Sequence, residues 1–534
     1  MKQCPKCNRG YLDESLNFCL DDGSWLVDGT ASLEEQTQIL TAGTGIPDSQ
    51  TRIFGVQAYA PTLEMARTQG GSRTPTEGGT QNNSIAVLPF AHLSKDADDE
   101  YFCDGLADEL INALAMIDDL KVVARTSAFS FKGKDIDVSQ IGSLLNVKNI
   151  LEGSVRKSGD KLRITVQLIN AADGYNIWSQ RYDREMRDVF ELQDEITLAV
   201  VDALKSKLLG EQKEDLLHRF TANTEAFHLY LQGRFYLNKY TTEKAFKAVD
   251  CFNDAIALDP DFAQAQAGLA DALIMLTEMG PVPTHEAMPK AKAAAIKAIT
   301  LDADLAEAHN SLGTVLLDYE YDFAGAEREF LTAIELSPNN PIPRQSYGIL
   351  LTELERHDEA AVQFAKMLEV DPLGVVGNWI YSFCLFLARR FDDSLARALE
   401  TLELDPSFGV AYLSVAFAYQ MKGDYNKSAE AYAKCSEVMG YPQNAAYIRD
   451  NFALGWEAFL RAMTSPDTPI TFSSYIVAVF FATLGDKDGA FAELDASLAK
   501  RESHIIMMKA DPRFDSLRDD PRFREILTAV GFSE

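Results

Sequence analysis

The chain has 534 residues, 46% of them apolar, and carries a formal charge of −30. That length allows three or four domains with sizeable cores. So negative a surface argues against nucleic-acid backbones and anionic membranes as general partners, and favours basic or apolar protein segments. Four of the seven cysteines (Cys103, Cys251, Cys384 and Cys435) stand singly in apolar surroundings. Such usage predicts reduced, buried thiols and a cytoplasmic protein. The opening MKQCPKC lacks the apolar core of a signal peptide, and the longest apolar stretch, YIVAVFFATLG at 475–485, is too short to span a bilayer.

Residues 1–28 contain CPKCNRGYLDESLNFCLDDG. Cys4 and Cys7 form a CxxC, and Cys19 opens a second one whose closing position is Asp22. Zinc prefers four tetrahedral ligands, mostly thiolate and imidazole, and accepts a carboxylate oxygen. A 28-residue module has too little core to fold alone, so a bound metal would supply its stability. The stretch resembles the short zinc-ribbon heads of some bacterial kinases and their companions, which have Asp at this place. The resemblance implies structural zinc held by Cys4, Cys7, Cys19 and Asp22. The other reading is a degenerate, metal-free ribbon, since a carboxylate is a harder ligand than a thiolate.

Residues 29–83 are rich in Thr, Gly, Gln and Ser without sustained periodicity, which predicts a disordered linker. Three segments, QTQIL, QTRIF and PTLEM, centre on Thr37, Thr51 and Thr62, each with an apolar residue three places on. Phosphothreonine in that setting resembles what forkhead-associated domains read, which implies a Ser/Thr kinase and such a domain as partners. The plainer reading is a Thr-rich linker.

Residues 84–210 alternate strand and helix. SIAVLPF and LKVVAR read as strands, EYFCDGLADELINALAMI and DVSQIGSLLNV as helices. NILEGSVRKSG, DKLRITVQLINAADG and NIWSQRYDR follow as a meander, closed by the helix DVFELQDEITLAVVDALKSKLL. The pattern predicts a mixed sheet with helices packed on it. This combination resembles the amino-terminal domain of TolB, in the form found in bacterial signalling proteins, where it lies between an effector and a helical repeat array. The β-propeller of TolB itself has no counterpart here.

Residues 211–534 are helical and repetitive, with IALDP, IELSP, LEVDP and LELDP as landmarks. Pro338, Pro372 and Pro406 are spaced 34 residues apart. With small residues at fixed places, such as Gly313 and Gly348, this resembles the tetratricopeptide repeat. About seven units are expected, with an irregular helical stretch around 443–465. The expected fold class is therefore multidomain: a small zinc ribbon, an α/β mixed-sheet domain like the TolB amino-terminal domain, and an all-α tetratricopeptide solenoid.

A solenoid leaves an extended concave surface. The first 210 residues hold 21 basic and 31 acidic side chains, which leaves −20 of the charge on the helical array. Either this serves solubility, or it favours basic ligands. Helical spacing points Val376, Trp379, Phe383 and Phe386, then Val410, Leu413 and Phe417, into the groove. Earlier units put Glu307, Asn310 and Thr314, then Gln345, Thr352 and Glu353, at those places. An aromatic patch of this kind suggests a site for a peptide with an apolar anchor and a basic flank. The alternative is that HIIMMKADPRF, 504–514, folds back and covers it. The chain has no phosphate-binding glycine loop, nucleophile elbow, HExxH or kinase signature. The reading is thus a non-enzymatic, cytoplasmic scaffold or adaptor in bacterial signalling, without a membrane partner. A nucleic-acid or transcription regulator acting through the ribbon is the alternative, against which the charge argues.

Overall fold

The computed structural model describes residues 2–3, 10–11, 27–28, 84–93, 100–117, 120–158, 161–185, 189–204, 221, 223–280 and 282–532. The chain divides into two compact units, Met1–Asn82 and Asn83–Glu534. In the first, strand β1 (Lys2–Gln3) pairs antiparallel with both β2 (Gly10–Tyr11) and β3 (Val27–Asp28). Cys4, Cys7, Cys19 and Asp22, and Thr37, Thr51 and Thr62, lie outside the described residues.

The second unit opens with the mixed sheet. Its strands are β4 (Ser84–Val87), β5 (Ala91–His92), β6 (Lys121–Val122), β7 (Asn149–Ser158), β8 (Lys161–Asn170) and β9 (Asn176–Glu185), in the order β6-β4-β7-β8-β9. β4 runs parallel to β6 and β7, β5 is parallel to β7, and β7 to β9 form the antiparallel meander. All four residues of β4 are buried, as expected for a strand covered on both faces. Ile85 and Val87 face the core that contains helices α1 (Glu100–Ala115) and α4 (Val189–Ala203). Ala86 faces the other layer, formed by α2 (Arg125–Phe129) and α3 (Val138–Leu145).

Eight helix pairs follow among the described residues. They are α5 (Thr224–Leu237) with α6 (Thr242–Leu258), α7 (Ala263–Glu278) with α8 (Thr284–Leu301), and α9 (Ala306–Val315) with α10 (Phe323–Leu336). Then come α11 (Pro341–Glu353) with α12 (His357–Val370), and α13 (Val375–Leu387) with α14 (Phe391–Leu404). The last three pairs are α15 (Ala411–Met421) with α16 (Tyr425–Val438), α17 (Pro442–Phe452) with α18 (Trp456–Met463), and α19 (Ser474–Leu484) with α20 (Lys487–Lys500). The seventh pair occupies the stretch expected to be irregular. Its second helix has 8 residues, against 14 in α16 and α20, too short to hold the landmark spacing. A π-helical turn, Leu316–Glu320, extends α9.

The landmarks act as their chemistry dictates. Pro338, Pro372 and Pro406 follow the ends of α10, α12 and α14, where a missing N–H ends the helix. A Cβ on Gly313 would sit 2.6 Å from the Phe330 ring, so only glycine lets α9 approach α10 this closely. Cys103, Cys251, Cys384 and Cys435 are buried, and burial pushes the last three thiols up to about 12.

The sheet domain and the solenoid share one core. Ile85, Leu106 and Ile164 belong to the same cluster as Phe227, Tyr230 and Phe252 of α5 and α6. Loops of the repeats dock on the sheet domain. The Asn339 side-chain amide donates to the carbonyls of Ala115 (3.1 Å) and Leu120 (3.2 Å). Asp371 accepts from the Thr126 hydroxyl (2.6 Å) and from the Ser127 amide (3.1 Å) and hydroxyl (2.6 Å). Leu373 packs on the second face of the sheet.

The segment after α20 folds back over the solenoid as two 3-10 turns, Ser503–Lys509 and Pro512–Leu517, and α21 (Pro521–Ala529). Ile505, Ile506, Met508 and Phe514 join a core with Phe330, Leu350 and Phe364 of the third and fourth pairs. Arg389 pairs with Asp515 at 2.6 Å, and Phe532 stacks on Phe323 at 4.7 Å.

Candidate functional site

The first helices of the pairs, together with α1, line a cavity of about 1560 Å³ along the concave side of the solenoid. Its two ends differ in chemistry.

The aromatic end contains Val376, Trp379, Phe383, Val410, Leu413 and Phe417. Phe408 also lines it, its ring edge-on to Trp379 at 5.9 Å, and Met439 and Tyr441 extend the wall. Phe386 is not part of the surface. It lies in the last turn of α13 and is wholly buried, enclosed by Phe391 at 5.7 Å and Phe417 at 5.6 Å. Helical spacing put it on the groove side, but neighbouring elements close over that turn. Phe417 is 7% exposed, because the Arg513 guanidinium lies over its ring at 4.3 Å. The 504–514 segment therefore covers this part of the patch and leaves Trp379, Phe383, Phe408 and Leu413 half-buried at its margin. Arg513 is held there by a buried pair with Asp511 at 2.6 Å, and Asp511 also accepts from the Tyr475 hydroxyl at 2.9 Å.

The acidic end contains Asp271, Glu278, Glu307, Asp318 and Glu353. Glu307, Asn310, Gln345 and Glu353 line it as helical spacing predicts, as does Thr314. Thr352 does not, since it is buried and donates to the Gly348 carbonyl at 2.8 Å. Asp318 and Glu353 each stand five residues after the close-approach glycine of their helix, Gly313 and Gly348. Leu387 takes the corresponding place in α13, so the wall changes there from carboxylate to apolar. That spacing was readable in the sequence, yet Asp318 was not picked out by the groove reading. Nor were Asp271 and Glu278, on the longer helix α7.

Burial, with no compensating cation, pushes the carboxyls of Asp318 and Glu353 well up. Glu278 is open to the cavity but ringed by protein, and its carboxyl is raised in the same way, with Asp271 adding like-charge repulsion. Across the cavity Glu109 is 3% exposed and pushed up to about 7 by burial, then by Asp108. Among the described residues no group of three or more His, Cys, Asp or Glu side chains converges to hold a metal ion. Glu100 pairs with Lys132 at 2.6 Å, and His309 meets Glu329 at 2.7 Å and the Ala303 carbonyl at 2.9 Å.

Fold and cavity together define a solenoid of paired helices, with an α/β domain docked on it and a concave inner surface that is acidic at one end and aromatic at the other. A family model described as the HilA/YgeH-like transcriptional regulator, second domain, matches residues 81–199, the α/β region. The chain is 34% identical over 238 residues to "Putative adenylate cyclase 3" of Rhizobium meliloti (strain 1021), which is 44% of this chain and 40% of that protein. It is 29% identical over 144 residues to the transcriptional regulator HilA of Salmonella paratyphi A, 27% of this chain and 26% of that one. The chain thus spans well under half the length of either relative. Among solved structures it is similar to YrrB, titled a TPR protein with an unusual peptide-binding site, at 21% identity. The likeness covers 38% of this chain and 99% of that one, with a TM-score of 0.26. No described helix is long and apolar enough to cross a membrane.

Proposed function

We propose that this chain is a non-enzymatic interaction scaffold, acting in bacterial signalling or regulation, whose concave groove binds an extended protein segment with an apolar anchor and a basic flank. The observation that carries this reading is the two-ended lining. Trp379, Phe383 and Phe408 offer an aromatic seat left partly open by the C-terminal segment. Large aromatics at such seats dominate interface energetics. The neighbouring carboxylates suit a cationic flank. Trp379→Ala should weaken binding of the partner segment by about 2 kcal/mol, roughly thirtyfold, without altering the helical circular-dichroism signal. Unchanged affinity would sink the groove assignment.

The α/β region, taken as 84–210, is proposed to be a recognition or structural module of the TolB amino-terminal kind, ahead of a tetratricopeptide array at 211–534. The matches to two HilA names and an adenylate cyclase name favour a regulatory setting. They also keep alive the second reading, a transcription regulator. A gel-shift assay at low salt separates the two, because phosphate-backbone binding is strongest there.

For residues 1–28 the proposal is a structural zinc site of Cys4, Cys7, Cys19 and Asp22, served as a tethered docking head. The three short antiparallel strands around these positions support a ribbon. Purified protein is expected to carry one zinc per chain. Cys7→Ser should abolish loading and Asp22→Ala should lower affinity, both read by metal analysis under a competing chelator. Phosphorylation at Thr37, Thr51 or Thr62, read by a forkhead-associated domain, is a further proposal that rests on the sequence pattern alone.

A further inference from the structure

The acidic end of the cavity is more than a solvated face. Ten carboxylate side chains line the whole cavity against three guanidiniums. None of the three pairs with the acidic wall: Arg125 and Arg234 each lie 3.5 Å from Asp108, itself one of the ten, and Arg513 is held by Asp511. Arg234 reaches far enough to favour the charge of Asp271, but no described cation acts on Glu278, Asp318 or Glu353.

Three polar side chains on this wall are buried with oxygens that no hydrogen-bond donor among the described residues reaches. Both carboxylate oxygens of Glu353 lack a partner, and that residue is 1% exposed. The side-chain oxygens of Gln264 and Asn310 lack partners too, in residues 7% and 9% exposed. Unsatisfied buried acceptors are costly, so a cavity wall that retains several of them gains when those side chains turn toward an incoming donor.

We propose that this wall binds a flexible organic polycation, with ammonium groups spaced along an aliphatic chain. The carboxylates lie on three successive repeats, α7, α9 with its π turn, and α11, rather than converging on one point. That arrangement suits several linked charges and not a single metal ion. Met275 and Ile349, half-buried on the same wall, give the methylene segments apolar surface to cover. Ammonium groups donate and never accept, which matches a wall of vacant acceptors. Two sources share this chemistry, a free polyamine and the lysine side chains of a bound protein segment. The inference rests on the concave groove being a binding surface, but not on its aromatic seat.

The test uses the full chain in titration calorimetry with spermine and, separately, with tetralysine. At least one probe is expected to bind, with one site for the carboxylate wall, and Glu353→Gln and Glu278→Gln should each weaken it at least tenfold. Spermine alone binding assigns a free polyamine, and tetralysine alone assigns a protein segment; each outcome supports the proposal. Trp379→Ala should leave both probes unaffected, so failure of the aromatic seat and failure of the acidic wall are distinguished. The glutamine variants keep shape while removing charge, so without ligand they should melt no lower than the parent at pH 8. A lower melting point would make the carboxylates structural and overturn the idea. So would equal displacement of the probe by millimolar magnesium, no binding of either probe, or binding that the glutamine variants do not change.

Discussion

Arg513→Ala is expected to destabilise the protein by about 3–5 kcal/mol, the range for leaving one member of a buried ion pair uncompensated. Asp511 is fully buried, and its carboxylate keeps only the Tyr475 hydroxyl and the Arg513 backbone amide once the guanidinium is gone. The same substitution removes the cation over Phe417 and Phe386, at 4.3 and 5.4 Å. Such contacts add about 2 kcal/mol when desolvated. Equilibrium urea unfolding would show the loss as a lower midpoint at unchanged slope. A triple variant, Asp511→Leu with Arg513→Met and Tyr475→Phe, should recover much of it, since apolar replacement of a buried pair is often neutral once the Tyr475 hydroxyl that it accepts from is also removed. A loss below about 1 kcal/mol in Arg513→Ala would mean that the pair is open to water.

Asp371→Ala should cost about 2–4 kcal/mol and loosen the sheet domain from the repeats. The carboxylate collects three donors from Thr126 and Ser127, on the far side of the loop–sheet contact. Thr126 is exposed and can turn to water, but Ser127 is fully buried, and its amide and hydroxyl would be left without an acceptor. The Ser127 hydroxyl also accepts from the Leu373 amide at 2.8 Å, so a second docking contact depends on the same group. Hydrogen exchange is the suitable readout. The amides of Ala124, bonded to the Val370 carbonyl at 2.8 Å, and of Ser127 should lose protection before those of the solenoid's own helices. Uniform loss across the second unit would show instead that domain and repeats open as one body.

Both predictions concern residues to which the sequence assigned no special role. LEVDP reads as a helix stop, and in the fold Pro372 does follow the end of α12. Nothing local reveals that the Asp beside it anchors a domain some 245 residues earlier in the chain. Likewise the stretch 504–514 reads as apolar, and its fold-back was one of two alternatives. Only the packed core shared with the third and fourth pairs decides between them.

The sequence by itself determined the elements whose cause is local. Alternation set the strands of the meander, and prolines 34 residues apart set the repeat ends. Glycine at positions 313 and 348 marked where paired helices touch. Helical period also divided most groove-facing from packing-facing side chains, because a residue's face on a helix follows from its number. The tertiary structure alone decided which of those faces stay open. Phe386 and Trp379 share a helix, and spacing treats them alike. Phe386 lost its exposure to Phe391, Phe417 and Arg513, the last more than a hundred residues away, while Trp379 retained part of its own. Glu353 lies at the end of α11, a helix that the turn Ser503–Lys509 also packs against from more than a hundred residues away. Burial and the electrostatics that follow from it are properties of everything within a few ångströms, and a period along one helix carries no information about what arrives from another.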